Sequence, residues 1–364
     1  MKVFHTSDLH LTTDNNERWD TLEILLKKAT TLSTDIFVIS GDLFENNKYA
    51  FEIYDNLRKL FGKYHNYLLI IILPGNHDSK SYEKGIWLGD NVKIITTPLE
   101  PVITEKLIFW GLPFTNLGDD LYIPQQINKI NNEIDKKYND KINILLYHGE
   151  LLDLFSMKRD FGEEDSNQYM PAKLSYFENS YFKYILAGHF HTKPHIFNTK
   201  NKNNEEMFFI YPGTPVSITA KELGKRSINI IEPPYSPKIY SDFNSFFYEK
   251  LLIVLEPNKN PTETIDNKIS LTNKQATLLV EINGYFNGDN FSTTETNIKK
   301  YIEKKLIDYN IKGDIIYNFK NIGNLLDSNL YERINKKINL LTNDKTEKEI
   351  IKNIIIKGLI EAQF

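Results

Sequence analysis

Asp35-Ile36-Phe37-Val38-Ile39-Ser40-Gly41-Asp42-Leu43-Phe44-Glu45 decides how this chain folds. Its first half is a continuous apolar run, too short for a helix and of the kind that forms a sheet strand covered on both faces. Its second half is a glycine-acid turn. A strand that ends in a polar turn projects its last side chains into the crevice at the sheet's edge. Working outward, the same arrangement recurs four times. Residues 2–6 run into Asp8-Leu9-His10, and 67–73 are stopped by Pro74-Gly75 and lead into Asn76-His77-Asp78. Residues 142–147 run into His148-Gly149, and 184–187 into Gly188-His189-Phe190-His191.

Helical patterns over 18–32 and 48–63 separate the first of these strands, and 107–111 reads as another strand. Apolar runs alternating with helices predict an α/β unit with helices packed on the sheet. Later the pattern shifts to hairpins. Residues 194–199 and 207–211 flank a polar, mixed-charge stretch, and 226–231 adds a strand, so the sheet is expected to be mixed. Glu232-Pro233-Pro234-Tyr235-Ser236-Pro237 is stiff and helix-breaking, which places the first domain at 1–240. Strands over 250–255, 277–283 and 314–319, with a helix over 293–309, predict a small α/β domain at 241–324. Two helices, 326–341 and 346–360, make the last region, 325–364, and Thr346-Glu347-Lys348-Glu349 has capping-box spacing.

Composition narrows the class. A chain of 364 residues, 41% hydrophobic and 25% charged, is globular and long enough for two or three domains. A net charge of −4 argues against holding nucleic acid by bulk charge alone, though not against local basic patches or bound cations. The absence of cysteine excludes disulfides, zinc–thiolate sites and a cysteine nucleophile. The first residues lack an apolar signal core, and no run of about 18 apolar residues occurs. A cytoplasmic protein with no membrane segment is therefore expected.

The five turns can converge on one site. Asp8 and His10, like His189 and His191, are one residue apart, so each pair can face one way from an extended segment. The donors are oxygen and imidazole nitrogen without sulfur, which suits Mn²⁺, Fe²⁺ or Zn²⁺ at five or six coordination. Two ions about 3.5–4 Å apart need a shared ligand. A carboxylate can bridge where an amide or imidazole rarely does, and Asp42 is the candidate. His77, beside Asn76 in the same turn, is placed to contact a phosphate or protonate a leaving group rather than to bind metal. A lone Asp-x-His or Gly-Asp carries little weight, but all five motifs in one order at strand ends are not coincidence.

The order D-x-H, G-D-x-x-(D/E/H), G-N-H-(D/E), H and G-H-x-H resembles that of the calcineurin-like metallophosphoesterases. His5-Thr6-Ser7-Asp8-Leu9-His10, Gly41-Asp42-Leu43-Phe44, Tyr211-Pro212-Gly213-Thr214-Pro215 and Glu222-Leu223-Gly224-Lys225-Arg226 look more narrowly like the SbcD-type and Mre-type DNA-repair nucleases. Specific motifs cover about residues 1–232, and the rest matches only in layout. The resemblance implies a four-layer α/β/β/α sandwich, a small α/β cap and a C-terminal helical hairpin. It implies one metal on Asp8, His10, Asp42 and His191, and a second on Asp42, Asn76, His148 and His189, with His77 the catalytic non-ligand. It also implies manganese, exo- and endonuclease cleavage of DNA in double-strand break repair or end and hairpin processing, an SbcC-type SMC-like ABC ATPase as partner, and a homodimer through helices of the catalytic domain.

Two positions depart from the pattern. Glu45 stands where relatives often have His or Asp, a position that can orient the catalytic histidine or touch substrate. Thr12 stands where glycine is usual. Rival readings are a small-molecule or nucleotide phosphodiesterase on the same core and an adaptor that mainly docks the ATPase. A protein phosphatase fits less well, because Asn46-Asn47 replaces that group's Arg-Gly. His5 is expected to be structural, His65 to meet a helix end, and His195 to lie on the surface or behind the ligands. The apolar residues of the last two helices, Ile356 and Phe364 among them, exceed what one helix–helix seam needs and suggest a partner-binding face.

Overall fold

Along β1 (Val3–Thr6) and β2 (Ile36–Ser40), successive side chains enter different cores. Phe4, Phe37 and Ile39 pack outward with Leu22, Leu25, Leu57 and Phe61 of helices α1 (Asn16–Thr31) and α2 (Asn47–Gly62). Val3, Ile36 and Val38 pack inward, with Phe109, Leu146, Leu186 and Ile210 from a second sheet. Side chains alternate faces along a strand, so burying both faces requires the continuous apolar run seen in the sequence. This is a computed structural model, and it describes residues 1–14, 16–82, 86–115, 122–153, 169–191, 193–323, 329–341, 344, 347–348, 350–352, 354–356 and 358.

The first sheet extends in parallel from β1 and β2 through β3 (Leu69–Leu73) and β4 (Val92–Ile94). On its other side β11 (Ile228–Ile231) and β12 (Lys238–Tyr240) join antiparallel. The second sheet runs β5 (Val102–Ile103), β6 (Leu107–Leu112), β7 (Ile142–His148), β8 (Phe182–Gly188), β10 (Glu206–Tyr211) and β9 (His195–Lys200). Its β6, β7, β8 and β10 are parallel, and β9 and β10 form the hairpin expected around 200–206. Helices α3 (Tyr122–Lys137) and α4 (Leu174–Glu178) cover its outer face through Ile123, Ile127, Ile130, Ile134 and Phe177. The architecture is thus the mixed α/β/β/α sandwich expected from the sequence.

The chain divides into two compact units after Tyr248, eight residues later than the 240/241 boundary expected. Hydrogen bonds tie residues 246–248 back to the first unit. Ser217 N donates to Phe246 O at 3.0 Å, and Gly224 N to Tyr248 O at 2.7 Å. The stiff Pro-rich segment is only the connection from β11 to β12.

In the second unit, β14 (Thr277–Phe286) lies between β13 (Tyr248–Leu255) and the parallel strands β15 (Asn310–Ile311) and β16 (Ile316–Asn321). Helix α5 (Pro261–Ser270) starts at an Asn260 cap followed by Pro261, and α6 (Glu295–Lys305) at a Thr294 cap. Helix α7 (Asn329–Leu341) buries Ile338 but leaves Leu340 and Leu341 exposed. The contact between the expected last two helices, and Phe364, lie outside the described residues. Ile356, expected to add surface, is buried, whereas Ile350 and Ile354 are exposed. Among the described residues, no helix is long and apolar enough to cross a membrane.

Candidate metal centre

All five polar turns leave the carboxyl ends of parallel strands: β1, β2 and β3 in one sheet, β7 and β8 in the other. The first two turns are zipped together. Asp8 N donates to Gly41 O at 3.0 Å, His10 N to Asp42 O at 2.9 Å and Leu11 N to Leu43 O at 2.8 Å. The expectation that Asp8 and His10 share one face of an extended segment does not hold. Both are left-handed, with φ of 55° and 49°, as are Asp42 at 49° and His189 at 106°. Such backbone costs energy in non-glycine residues and collects at functional sites. Gly41, with φ of 100°, cannot be replaced without collision, because a Cβ there would sit 1.8 Å from His148 Nδ1. At Gly188 a Cβ would lie 2.0 Å from Ser40 O.

The side chains meet in a chain of short distances. His191 Nε2 lies 3.3 Å from His10 Nε2 and 3.8 Å from Asp8 Oδ1. His10 Nε2 is 3.8 Å from Asp42 Oδ2, which is 3.2 Å from His148 Nε2. Asn76 Oδ1 follows, 2.8 Å from His148 Nε2. Asp42 Oδ1 accepts from His77 N at 2.9 Å, so Asp42 stands between the two groups of donors. His189 enters differently. Its backbone N–H donates to both Asp8 carboxylate oxygens at 3.1 Å, and its Nε2 is 3.9 Å from Glu150 Oε1. Its ring stands 5.6 Å from that of His148. Donor atoms of Asp8, His10 and His191 lie within 4.8 Å of one another, as do those of Asp8, Asp42 and His148, and of His10, Glu45 and His77.

This arrangement fits a cation. His148 Nδ1 donates to Ser40 O at 2.9 Å, so whenever the imidazole is neutral, as a bound cation requires, Nε2 is its lone-pair nitrogen. Nε2, Asn76 Oδ1 and Asp42 Oδ2 are then acceptors crowded together without a donor. Asp42 Oδ2 is buried and accepts no well-formed hydrogen bond among the described residues. Such a cluster is stable only around positive charge. Protonation follows the same demand. Burial disfavours a charged imidazole, but Asp42 and Asp8 push His148 up to about 10. Burial likewise raises Asp42, but His148, His10 and His77 outweigh it and hold the carboxyl far below the usual range.

Carboxylates and a backbone carbonyl hold the outer nitrogens. His77 Nδ1 faces Glu45 O at 3.0 Å, and Glu45 Oε2 lies 3.4 Å from His10 Nδ1. The Glu45 carboxylate also takes Arg18 Nη1 at 2.8 Å. Burial raises the Glu45 carboxyl, but His10 and Arg18 outweigh it and bring it to about 2. Glu45 therefore braces His10 with its carboxylate and His77 with its backbone. On the opposite side, Glu222 Oε1 meets His191 Nδ1 at 3.2 Å. Asp78 braces the floor, accepting from Leu43 N at 2.8 Å, Gly75 N at 2.8 Å and Tyr82 Oη at 2.9 Å. Neither Arg18 nor Asp78 is among the ligands expected from the sequence. Asp78 was within Gly-Asn-His-Asp, but Arg18 offers no local signal.

The remaining histidines lie apart. His5 is fully buried with Nε2 2.7 Å from Ser40 Oγ, and burial lowers it to about 3. His65 is exposed beyond α2, with Nδ1 3.2 Å from Gly62 O, and His195 stacks on Phe197 in β9.

The chain is similar to several known proteins. An uncharacterised protein, R555, of Acanthamoeba polyphaga mimivirus is 25% identical over 209 residues, 52% of this chain but only 14% of the viral protein. The match thus spans about one-seventh of that relative's length. TT1561 of Thermus thermophilus aligns with a TM-score of 0.40 at 12% identity, covering 62% of this chain and 92% of its own. A dimetal phosphatase from Danio rerio aligns with a TM-score of 0.39 at 9% identity, covering 63% and 91%. Residues 1–193, which contain all five turns, match the family model for calcineurin-like phosphoesterases. The chain belongs to the calcineurin-like phosphoesterase family, whose model matches more than half of it.

Proposed function

We propose that this chain is a DNA nuclease that hydrolyses phosphodiester bonds with two divalent ions, manganese by preference. Asp8, His10, Asp42 and His191 would hold one ion, and Asp42, Asn76, His148 and His189 the other. Mixed oxygen and nitrogen donors without sulfur suit manganese as well as iron or zinc, and the resemblance to the SbcD-type nucleases favours manganese. When bound, such ions neutralise phosphoryl charge and make water a nucleophile near neutral pH. Asp42 is the shared carboxylate. His77, held through Nδ1 by Glu45 O, contacts the phosphate or delivers a proton to the leaving oxygen through its other nitrogen.

The observation that carries DNA over a small ester is the mouth of the site. Among the described residues, Asn47, Asn76, His77, Ser79, Lys80, Phe114 and Tyr169 line a cleft of about 370 Å³ that opens broadly to solvent. A strand can lie across such a cleft, whereas enclosure of a small ligand needs deeper walls. Lys80 offers charge to a backbone phosphate, and Phe114 and Tyr169, with rings 6.1 Å apart, offer faces to bases. The likeness of His5 to His10 and of Tyr211 to Pro215 to the SbcD-type nucleases supports the same reading. The exposed apolar residues of 325–364 supply a surface for an SbcC-type ATPase.

The test is direct. Purified full-length protein, loaded with Mn²⁺, should cut labelled single-stranded DNA and bis-p-nitrophenyl phosphate. Turnover of phosphomonoesters or cyclic nucleotides with intact DNA would refute a nuclease.

A further inference from the structure

His191 is fixed from a segment that lies beyond residues 1–193. Glu222 is almost fully buried, and both of its carboxylate oxygens are engaged. Oε1 meets His191 Nδ1 at 3.2 Å, and Oε2 accepts from Ile218 N at 2.6 Å. The backbone of Glu222 is pinned as well, its carbonyl accepting from Ser217 Oγ at 2.6 Å and Arg226 Nη1 at 3.3 Å. Buried Arg226 then closes a loop. Its Nη2 donates to His191 O at 2.5 Å and its Nε to Thr214 O at 3.0 Å, while Thr214 N donates to His191 O at 3.1 Å. One short segment therefore holds His191 by its ring and by its backbone.

We propose that Glu222 is a positioning residue that keeps the proton of His191 on Nδ1, so that the Nε2 lone pair faces Asp8 and His10. This rests on the reading of His191 as a metal ligand. The physical reason is tautomer choice. A carboxylate only accepts, so a neutral imidazole facing it must carry its proton on the facing nitrogen. Nε2 is then bare, which ligation requires. Ile218 N–H fixes the other oxygen and prevents the carboxylate from turning away. Arg226 and Thr214 supply the rigid frame.

The decisive variant is Glu222→Gln, which keeps size and shape. An amide has one acceptor oxygen, and two donors face it. With the oxygen kept on Ile218 N–H, the NH₂ group meets His191 Nδ1 and drives the proton to Nε2. The full-length apo protein should therefore keep its melting temperature within a few degrees while binding of one of two Mn²⁺ ions weakens about 10–100-fold. The ¹⁵N shifts of His191 should report protonated Nδ1 in the parent and protonated Nε2 in the variant. Those shifts in the parent alone already test the idea, should the variant fold poorly. His191 protonated at Nε2 in the parent overturns the proposal, as does Mn²⁺ affinity in Glu222→Gln within twofold of the parent. His191→Asn separates the layers. If it loses one ion while Glu222→Gln binds normally, only the role of Glu222 falls. If His191→Asn keeps both ions, the ligand assignment falls, and the positioning role with it.

Discussion

Nε2 of His148 lies 3.2 Å from Oδ2 of Asp42, and neither side chain has any solvent exposure. Oδ1 of the same carboxylate is held by His77 N, and Oδ2 looks toward His10 as well. Asp42→Asn puts a donor into this cluster and removes the charge that balances it. It should lower metal content and hydrolysis together, by more than the roughly 10–100-fold that a change behind the ligands brings. Elemental analysis beside turnover decides the point, and two tightly bound ions with near-parent turnover would show that Asp42 does not bridge.

His77 is predicted to serve the reaction without holding an ion. Its ring is 4.6 Å from that of His10, and His10, Glu45 and His77 could themselves surround a cation, so the question is a real one. His77→Ala should retain both ions and lose roughly 10²–10⁴-fold in rate, the range for a positioned acid. Metal loss equal to that in Asp42→Asn would make His77 a ligand instead.

Gly41→Ala tests how the second sheet reaches the first. The new methyl would overlap the His148 ring and would also force a side chain onto a left-handed backbone, worth about 1–2 kcal/mol by itself. Lower melting temperature with loss of metal is expected. Parent-like stability and full metal content would show that the two turns have room that the geometry denies.

The strands were legible because both faces of each are buried, which leaves an unbroken apolar run such as Ile36 to Ile39. The ligands were legible because they follow those runs directly. Helix α3 was not. Its buried Ile123, Ile127, Ile130 and Ile134 keep helical spacing, but Pro124 and the many Asn residues masked it. Proline is tolerated in a helix's first turn, where Pro124 lies, so it does not interrupt the helix. Arg18 could not have been found locally, since its partner Glu45 is 27 residues away. The role of Glu222 likewise depends on a contact with His191, 31 residues away, which no local pattern marks.

Stability should fall in acid through His5. Its folded value of about 3 lies below the ordinary 6.5, so the unfolded chain takes up the proton first. The contribution of neutral His5 is complete above pH 6.5 and is lost progressively as the pH falls toward 3. Each tenfold drop in proton affinity corresponds to about 1.4 kcal/mol, which makes the loss several kcal/mol at the acid end. His5→Gln should be less stable at about pH 7 yet show a flatter dependence as the pH falls from 6.5 toward 3. Parallel stability curves for the two proteins would remove His5 from the account.

The C-terminal surface gives the prediction about a partner. Leu340 and Leu341 are 87% and 74% exposed, and Ile350 and Ile354 are 55% and 65% exposed, while Ile338 and Ile356 are buried. Large apolar side chains left in water at helical positions suit a groove in another protein. Ile350→Glu with Ile354→Glu adds charge where water already is, so the full chain should keep its melting temperature, its metal and its cutting of single-stranded DNA. The same charges would have to be desolvated in a complex, which is strongly unfavourable. The paired variant should therefore fail to co-purify with a co-expressed SbcC-type ATPase and lose ATP-dependent cutting of duplex ends. Ile356→Glu supplies the contrast, because charge at a buried position should lower the melting temperature. A complex that survives the paired change would remove Ile350 and Ile354 from the interface, and a collapse in stability on that change would place them in the fold.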